Sequence, residues 1–451
     1  MFSLKGRKSA RAGIRAALLV GAVATVAVLG TAGSASAAPS CTGESITGRG
    51  ASLQKVMQQN VWTPAFNTTV CPDGVGTEPN VTYESTGSGP GLEKWNHNGV
   101  EGKINTAYSY IGTDDAPTAA QITNMTSVAG GAGLLTIPVA QTAISIFANP
   151  PAGCDVETMT NKDLENVFNG AILKWSQLSN ILAEPNPACN YAIKRVVRTE
   201  GSGTTYQFKN YLWLLNKKGV PCTTGGTEGK ASWQELEPIG VGGAPNITWP
   251  EDEGCAVPRS VVLRGAGNGG VADKVIAESG SIGYVALPDA KAKIAACEKT
   301  ATCKNTEILS LQNNGKRKLA EATYANPASG EQANCATARY IVPANARPAK
   351  THTALNVDWS LVFGAKMDTS LTGGGYTICT ITFDLAWNDY SSAGFKEGQA
   401  TTVRDYLTEY VTAASGQTAI ASNYNAPLPT SESVTYNVLA AAQFTAAKIG
   451  F

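Results

Sequence analysis

Between residues 194 and 205 the chain reads Lys194-Arg195-Val196-Val197-Arg198-Thr199-Glu200-Gly201-Ser202-Gly203-Thr204-Thr205. Lys194–Val197 has strand composition, the glycine-and-hydroxyl run is a turn, and a helix is expected from about Thr204 to Leu215. The same design occurs twice upstream. Glu44–Arg49 leads into Gly50-Ala51-Ser52-Leu53 and a helix with Leu53, Val56, Met57 and Val61 on one face. Asn80–Glu84 leads into Ser85-Thr86-Gly87-Ser88-Gly89-Pro90-Gly91 and another helix. Strands alternating with helices through glycine turns predict an α/β fold. Each turn sets a hydroxyl and free backbone N–H groups at a helix start, where the dipole favours an anion. Ordinary capping by Ser or Thr explains any single turn as well. Three such turns point toward an anion site. Arg198, at the strand end, supplies a fork of donors suited to an oxyanion, and Glu200 is placed to pair with it and orient it.

Outward from these turns, Thr106–Gly112 reads as a third strand, closed by Thr113-Asp114-Asp115-Ala116-Pro117. Gly133–Pro138 and Gln141–Ala148 read as two consecutive buried strands. Asn161–Phe168, Trp175–Ser179 and Val271–Glu278 are expected as helices, and Ile282–Leu287 and Tyr376–Leu385 as strands. Ala400–Ala413 is a helix with Val403, Tyr406, Leu407, Tyr410 and Val411 inward, and Ser431–Ala442 is the final helix. Lys217–Val257 and Cys297–His352, rich in Gly, Pro, Asn and Thr, are expected as cysteine-tied insertions or long loops.

With 451 residues, 43% hydrophobic and 16% charged, the chain is neither disordered nor a multi-pass membrane protein. Its formal charge is zero, but five of its 35 basic residues fall within 1–37, which holds no acid. The remainder carries 30 basic against 35 acidic residues, a mildly acidic body with no electrostatic reason to bind nucleic acid. Those five basics precede an apolar run, Ala16–Gly30, and an Ala35-Ser36-Ala37 cleavage pattern. Residues 1–37 are therefore expected to be a secretory signal of Gram-positive type. Cys41 lacks the Leu three positions earlier that a lipobox requires, so an extracellular or cell-surface protein without a clear lipid anchor is expected. All ten cysteines lie in the mature part, an even count that reads as disulfides. Pairing of neighbours predicts 41–71, 154–189, 222–255, 297–303 and 335–379. The absence of C-x-x-C and the presence of only His97 and His352 argue against zinc, and no cofactor is expected.

The turns resemble the phosphate-binding proteins of ABC-type phosphate uptake systems (PstS-like), in order along nearly the whole mature chain. Ile46-Thr47-Gly48-Arg49-Gly50-Ala51-Ser52 is similar to the family's first turn. Val81–Gly89, Ile111–Pro117 and Arg198–Thr205 are similar to its second, third and fourth motifs. Gly265–Val271 and Gly280–Val285 are similar to its late glycine motifs. The resemblance implies a two-lobed periplasmic-binding-protein fold of type II, two discontinuous α/β domains joined by a hinge. Lobe 1 would be 38–139 plus 378–451, and lobe 2 would be 140–377. It also implies that Ser52, Leu53, Ser88, Asp115, Arg198, Ser202, Gly203 and Thr204 contact inorganic phosphate, with Glu200 behind Arg198. The expected product is a monomeric solute-binding protein delivering phosphate to an ABC permease. Ser52 stands where the family usually has Thr, Leu53 where it has Phe, Glu200 where it has Asp, and Arg49 enters the first turn.

Other readings compete. A secreted scaffold of this type without a transport role is compatible with the missing lipobox. A phosphatase-type hydrolase would use Ser88 or Ser202, but a serine needs a nearby base, and both histidines read as surface residues. Asp114 and Asp115 as paired catalytic carboxylates are disfavoured, since neighbours in a strand point to opposite sides. Gly265-Ala266-Gly267-Asn268-Gly269-Gly270 fits a dinucleotide fingerprint, but no clear strand feeds it and it reads as a tight loop.

Overall fold

Among the described residues, the central sheet has twelve strands, nine of them four residues or longer: β1 (Ile46–Gly50), β2 (Val81–Ser85), β3 (Tyr110–Thr113), β4 (Leu134–Asn149), β5 (Lys194–Arg198), β6 (Val261–Gly265), β7 (Ser281–Ala286), β8 (Glu307–Gln312) and β9 (Cys379–Trp387). The computed structural model describes residues 38–72, 79–216, 220–224, 227–231, 233, 247–249, 261–300, 303, 305–316, 318–335, 375–412, 414–421, 423–430 and 437–451. The expected signal segment, 1–37, lies outside them. The chain divides into two units, and Pro39–Phe451 is the one that carries all nine strands.

The sheet order is β2-β1-β3-β9-β4-β7-β5-β6, with β8 also on β4. Strand β1 alternates, with Ile46, Gly48 and Gly50 buried and Thr47 and Arg49 half-buried; β2 and β3 run parallel to it. Strands β4 and β9 are buried at every position, as central strands covered on both faces must be.

Instead of two strands, 134–149 forms one. Pro138 lacks an N–H for the ladder, yet the strand continues because the register with β9 shifts there. Thr382 faces Ala140 and Phe383 faces Pro138, so Val139 is the extra residue of a bulge. Leu134–Ala143 pairs with β9 and Ile144–Asn149 pairs with β7, so this one strand joins the two halves of the sheet. One apolar core draws on residues from Ile46 to Ala140 and from Ile381 to Ile449. A second draws mainly on residues from Ala143 to Cys379. Leu53 and Ala426 are the exceptions: Ile46 and Met57 on either side of Leu53 pack in the first core, and the Leu53 side chain packs in the second.

The run after β1 also departs from expectation. Its buried side holds Leu53, Gln54, Met57, Gln58, Trp62 and Phe66, whereas Val56 and Val61 are half-buried. Met57–Trp62 and Phe66–Val70 are π turns, whose i→i+5 bonds rotate the inward face away from α spacing. Within the two stretches expected as insertions, Val220–Thr224 and Thr227–Ala231 form a hairpin, and β8 joins the main sheet. Strand β6 went unpredicted. It pairs only with β5, at the sheet edge, and shows no in–out alternation. The helix after it, Gly267–Ala277, starts four residues before the expected Val271. The last helix is Val438–Ala446, its start set by the Asn437 side chain accepting from Ala440 N–H at 2.9 Å.

The helix Glu397–Tyr410 buries Val403, Tyr406, Leu407 and Tyr410 as expected, with Val411 buried just beyond it. Four disulfides link the described cysteines in the expected pairs, 41–71, 154–189, 297–303 and 335–379. The fifth expected pair involves Cys255, outside the described residues. No helix among the described residues is long and apolar enough to cross a membrane.

Candidate functional site

The three glycine turns converge. Gly50 (φ +141°) ends β1 at a point where a Cβ would collide with the Gly112 carbonyl. Ala51 N–H donates to that carbonyl at 2.8 Å, and Thr86 and Gly87 N–H donate to Gly50 O at 2.9 and 2.8 Å. These bonds hold the first two turns together at the ends of parallel strands. The third turn closes from the part of the chain that packs in the second core. A Cβ on Gly203 would lie 2.6 Å from Ser88 Oγ and 2.7 Å from Asp115 Oδ1, so only glycine allows this approach. Ser52, Ser88, Asp115, Arg198, Ser202 and Thr204 are all buried.

The helix Gly203–Leu215 starts at this junction. Ser202 caps it, its Oγ accepting from Thr205 N–H at 3.2 Å. Ordinary capping therefore does describe Ser202. Neither Ser52 nor Ser88 makes a side-chain cap bond. In this helix the Gly203 and Thr204 N–H groups belong to the first turn, which leaves its donors without intrahelical acceptors.

Arg198 is buried at 1% exposure and paired with Glu200: Nε donates to Oε1 at 2.9 Å and Nη2 contacts the same oxygen. Gly267 N–H also donates to that oxygen, at 3.0 Å. Three donors on one carboxylate oxygen fix the guanidinium plane, and Nη1 reaches Thr204 Oγ1 at 3.4 Å. The pair expected between Arg198 and Glu200 is present. Arg49 instead points outward, to Glu84 at 2.5 Å and the Tyr108 hydroxyl at 3.0 Å.

Two carboxylates face this helix start, not one. Asp115 Oδ1 accepts from Thr113 Oγ1 at 2.9 Å, while Oδ2 is buried with no partner among the described residues. Burial pushes its pKa up to about 7, opposed by the Thr113 bond and reinforced by the charge of Asp114. Asp114 Oδ2 accepts from Thr204 at 3.3 Å and Oδ1 from Thr382 at 2.9 Å. Burial raises its pKa to about 6, against the pull of Thr382, Arg198 and Thr204. The expectation that Asp114 and Asp115 diverge fails because β3 ends at Thr113, and strand alternation ends with it.

Sequence reasoning set Asp114 aside as a paired carboxylate and missed Asn268. Asn268 sits in the first turn of Gly267–Ala277, with its amide nitrogen 3.0 Å from Ser52 Oγ and 3.3 Å from Thr204 Oγ1. The signal was present in Gly265–Gly270, but without β6 that motif read as a loop. His97 is buried, not exposed as expected; burial lowers its pKa to about 4. Among the described residues, no histidine contacts Ser88 or Ser202. His352 lies outside them. Chemically the site offers a buried guanidinium, hydroxyls and helix-start N–H groups around two carboxylates, an arrangement suited to a protonated oxyanion.

Residues 35–356 match the family model described as a PBP superfamily domain. The phosphate-binding protein PstS of Xylella fastidiosa (strain Temecula1 / ATCC 700964) is 28% identical over 250 residues, covering 54% of this chain and 53% of that protein. The chain thus spans about half the length of the curated relatives it matches. Among solved structures, a human phosphate binding apolipoprotein superposes with a TM-score of 0.59 at 20% identity, covering 88% of this chain and 93% of the other. A high affinity periplasmic phosphate-binding protein bound with phosphate gives 0.56 at 22%, covering 86% and 91%. At these identities the likeness establishes the two-lobed periplasmic-binding fold.

Proposed function

The chain belongs to the PBP superfamily, and from that membership we propose that it is an exported solute-binding protein. It holds inorganic phosphate between its two lobes and delivers it to the permease of an ABC transporter. The observation that carries this reading is Asp115, packed against the first turn of helix Gly203–Leu215 with Oδ2 buried and unpartnered. Donors alone accept any oxyanion. A carboxylate among them suits an anion that keeps a proton to donate, because an ionised carboxylate only accepts. Phosphate near neutral pH carries at least one proton and sulfate carries none.

In this reading Ser52, Ser88, Ser202 and Arg198, with the N–H groups of Leu53, Gly203 and Thr204, surround the anion. Asp115 receives its proton, and Glu200 holds Arg198 in place. The lobes are 38–139 with 378–451, and 140–377. Residues 1–37 direct export, and the protein works as a monomer without a cofactor. The names of the relatives reported above, phosphate-binding in each case, support the choice of ligand. Because the anion touches both lobes, it stabilises the closed arrangement by its differential affinity.

Calorimetric titration of phosphate-stripped protein tests the reading. Phosphate binds, sulfate in large excess does not compete, and X-ray scattering shows compaction on adding phosphate. Strong sulfate binding, or no binding of phosphate, overturns it.

A further inference from the structure

We propose that Asn268 is a cross-cleft positioning residue that makes the Ser52 hydroxyl an obligate donor toward the bound anion. This deepens the phosphate-binding reading and rests on it. Asn268 is fully buried, and its amide orientation is fixed: Oδ1 accepts from Ala286 N–H at 3.0 Å. Nδ2 therefore faces the opposite way, donating to Ser52 Oγ at 3.0 Å and to Thr204 Oγ1 at 3.3 Å. The backbone N–H of Asn268 donates to the same Ser52 oxygen at 3.3 Å.

A serine hydroxyl has two lone pairs and one proton. Asn268 engages both lone pairs of Ser52 Oγ, so the proton is what this group has left to offer. Among the described residues, no acceptor bonds it. Thr204 is set differently. Its oxygen accepts from Asn268 and from Arg198 Nη1 at 3.4 Å, and its proton goes to Asp114 Oδ2 at 3.3 Å. One amide thus sorts two neighbouring hydroxyls: Ser52 is aimed outward as a donor, and Thr204 is committed to Asp114. A donor whose direction is set beforehand needs no reorientation when the anion arrives. The contact also spans the cleft, since Ser52 follows β1 in one lobe and Asn268 follows β6 in the other.

The test is a double-mutant cycle read by titration with inorganic phosphate. The proteins are wild type, Asn268→Ala, Ser52→Ala and the double variant, each checked for folding by circular dichroism and thermal midpoint. On the wild-type background Asn268→Ala weakens phosphate binding about tenfold; on the Ser52→Ala background it costs less than about twofold. Asn268→Asp keeps the size and the acceptor for Ala286 but sets an acceptor oxygen against Ser52, and it weakens binding more than Asn268→Ala. If Asn268→Ala fails to fold, the cycle runs with Asn268→Asp, and the loss must again shrink when Ser52 is absent. Equal losses on both backgrounds, or no loss on the first, overturn the assignment. A wild-type protein that gives no heat with phosphate overturns the ligand itself, and the positioning role with it.

Discussion

Asp115 and Asp384 are both fully buried, each with one carboxylate oxygen unpartnered, and they lie in contrasting company. Asp115 faces a helix start, the Ser88 hydroxyl and the charge of Asp114. Asp384 lies behind the sheet among Gln58, whose Nε2 donates to it at 3.1 Å, and the charge-free phenols of Tyr83, Tyr110 and Tyr406. Gln54 joins the two regions, donating to Thr382 Oγ1 at 2.7 Å, and Thr382 donates to Asp114. Burial pushes Asp384 up to about 8, and the Gln54 and Gln58 bonds only partly oppose it. Asp115 reaches about 7. Burial alone therefore does not make an acid useful to a ligand. Beside a helix start and a serine hydroxyl its charge can engage one, whereas among neutral amides and phenols it acts as a structural hydrogen-bonding group.

The largest expected effect comes from removing that contrast at Asp115. A site built around one hydrogen bond rejects an analogue lacking it by roughly 10⁴-fold. Asp115→Asn should narrow the phosphate-over-sulfate ratio by at least about 100-fold, because the amide donates to either anion. The wild-type ratio should itself fall as pH drops below about 7, where Asp115 gains a proton. Competition titrations at pH 5.5 and 8.5 read both effects.

Next in size is Arg198→Ala. A buried charge-assisted contact contributes about 1.5–3 kcal/mol, so phosphate affinity should drop roughly 10- to 150-fold. Asp384→Asn should leave it within about twofold. Equal losses would show that the two regions do not differ as described.

Asp384 should reveal itself in stability instead. Its folded pKa lies above the ordinary 3.8, so the folded chain keeps a proton that the unfolded chain has lost. Its stabilising contribution is complete below about pH 4 and is lost as pH rises toward 8. The decline reaches up to about 1.4 kcal/mol per pH unit from this group. Thermal melts of ligand-free wild type and Asp384→Asn across pH 4–8 should differ in slope, with the variant flatter. The smallest effect is expected from Arg49→Ala, less than about threefold on phosphate affinity. Arg49 pairs at the surface with Glu84, where solvent screens it.

Features legible in the sequence are those whose chemistry is local. Gly201-Ser202-Gly203 announces a helix start because its cap, glycine freedom and first-turn donors all lie within a few residues. The neighbour disulfides follow from short loops between cysteines, and the inward face of Glu397–Tyr410 follows from helical spacing. Features that escaped it have their deciding partner far along the chain. Val56 and Val61 give way to Gln54 and Gln58 because the sheet offers those amides Phe383 O, Thr382 and Asp384. Helical period cannot reveal acceptors more than 300 residues away.

The sequence by itself determined three anion-ready turns, the alternation of strand and helix, and an arginine with its acidic partner two residues on, since each depends on backbone freedom and side-chain reach within one segment. Tertiary structure alone decided that Asp114 turns toward Thr204, that Leu53 packs into the second core, and that Asn268 reaches a serine 216 positions away. Those outcomes depend on which surfaces the sheet brings together, and a hydrogen bond or an apolar contact exists only where packing closes the distance.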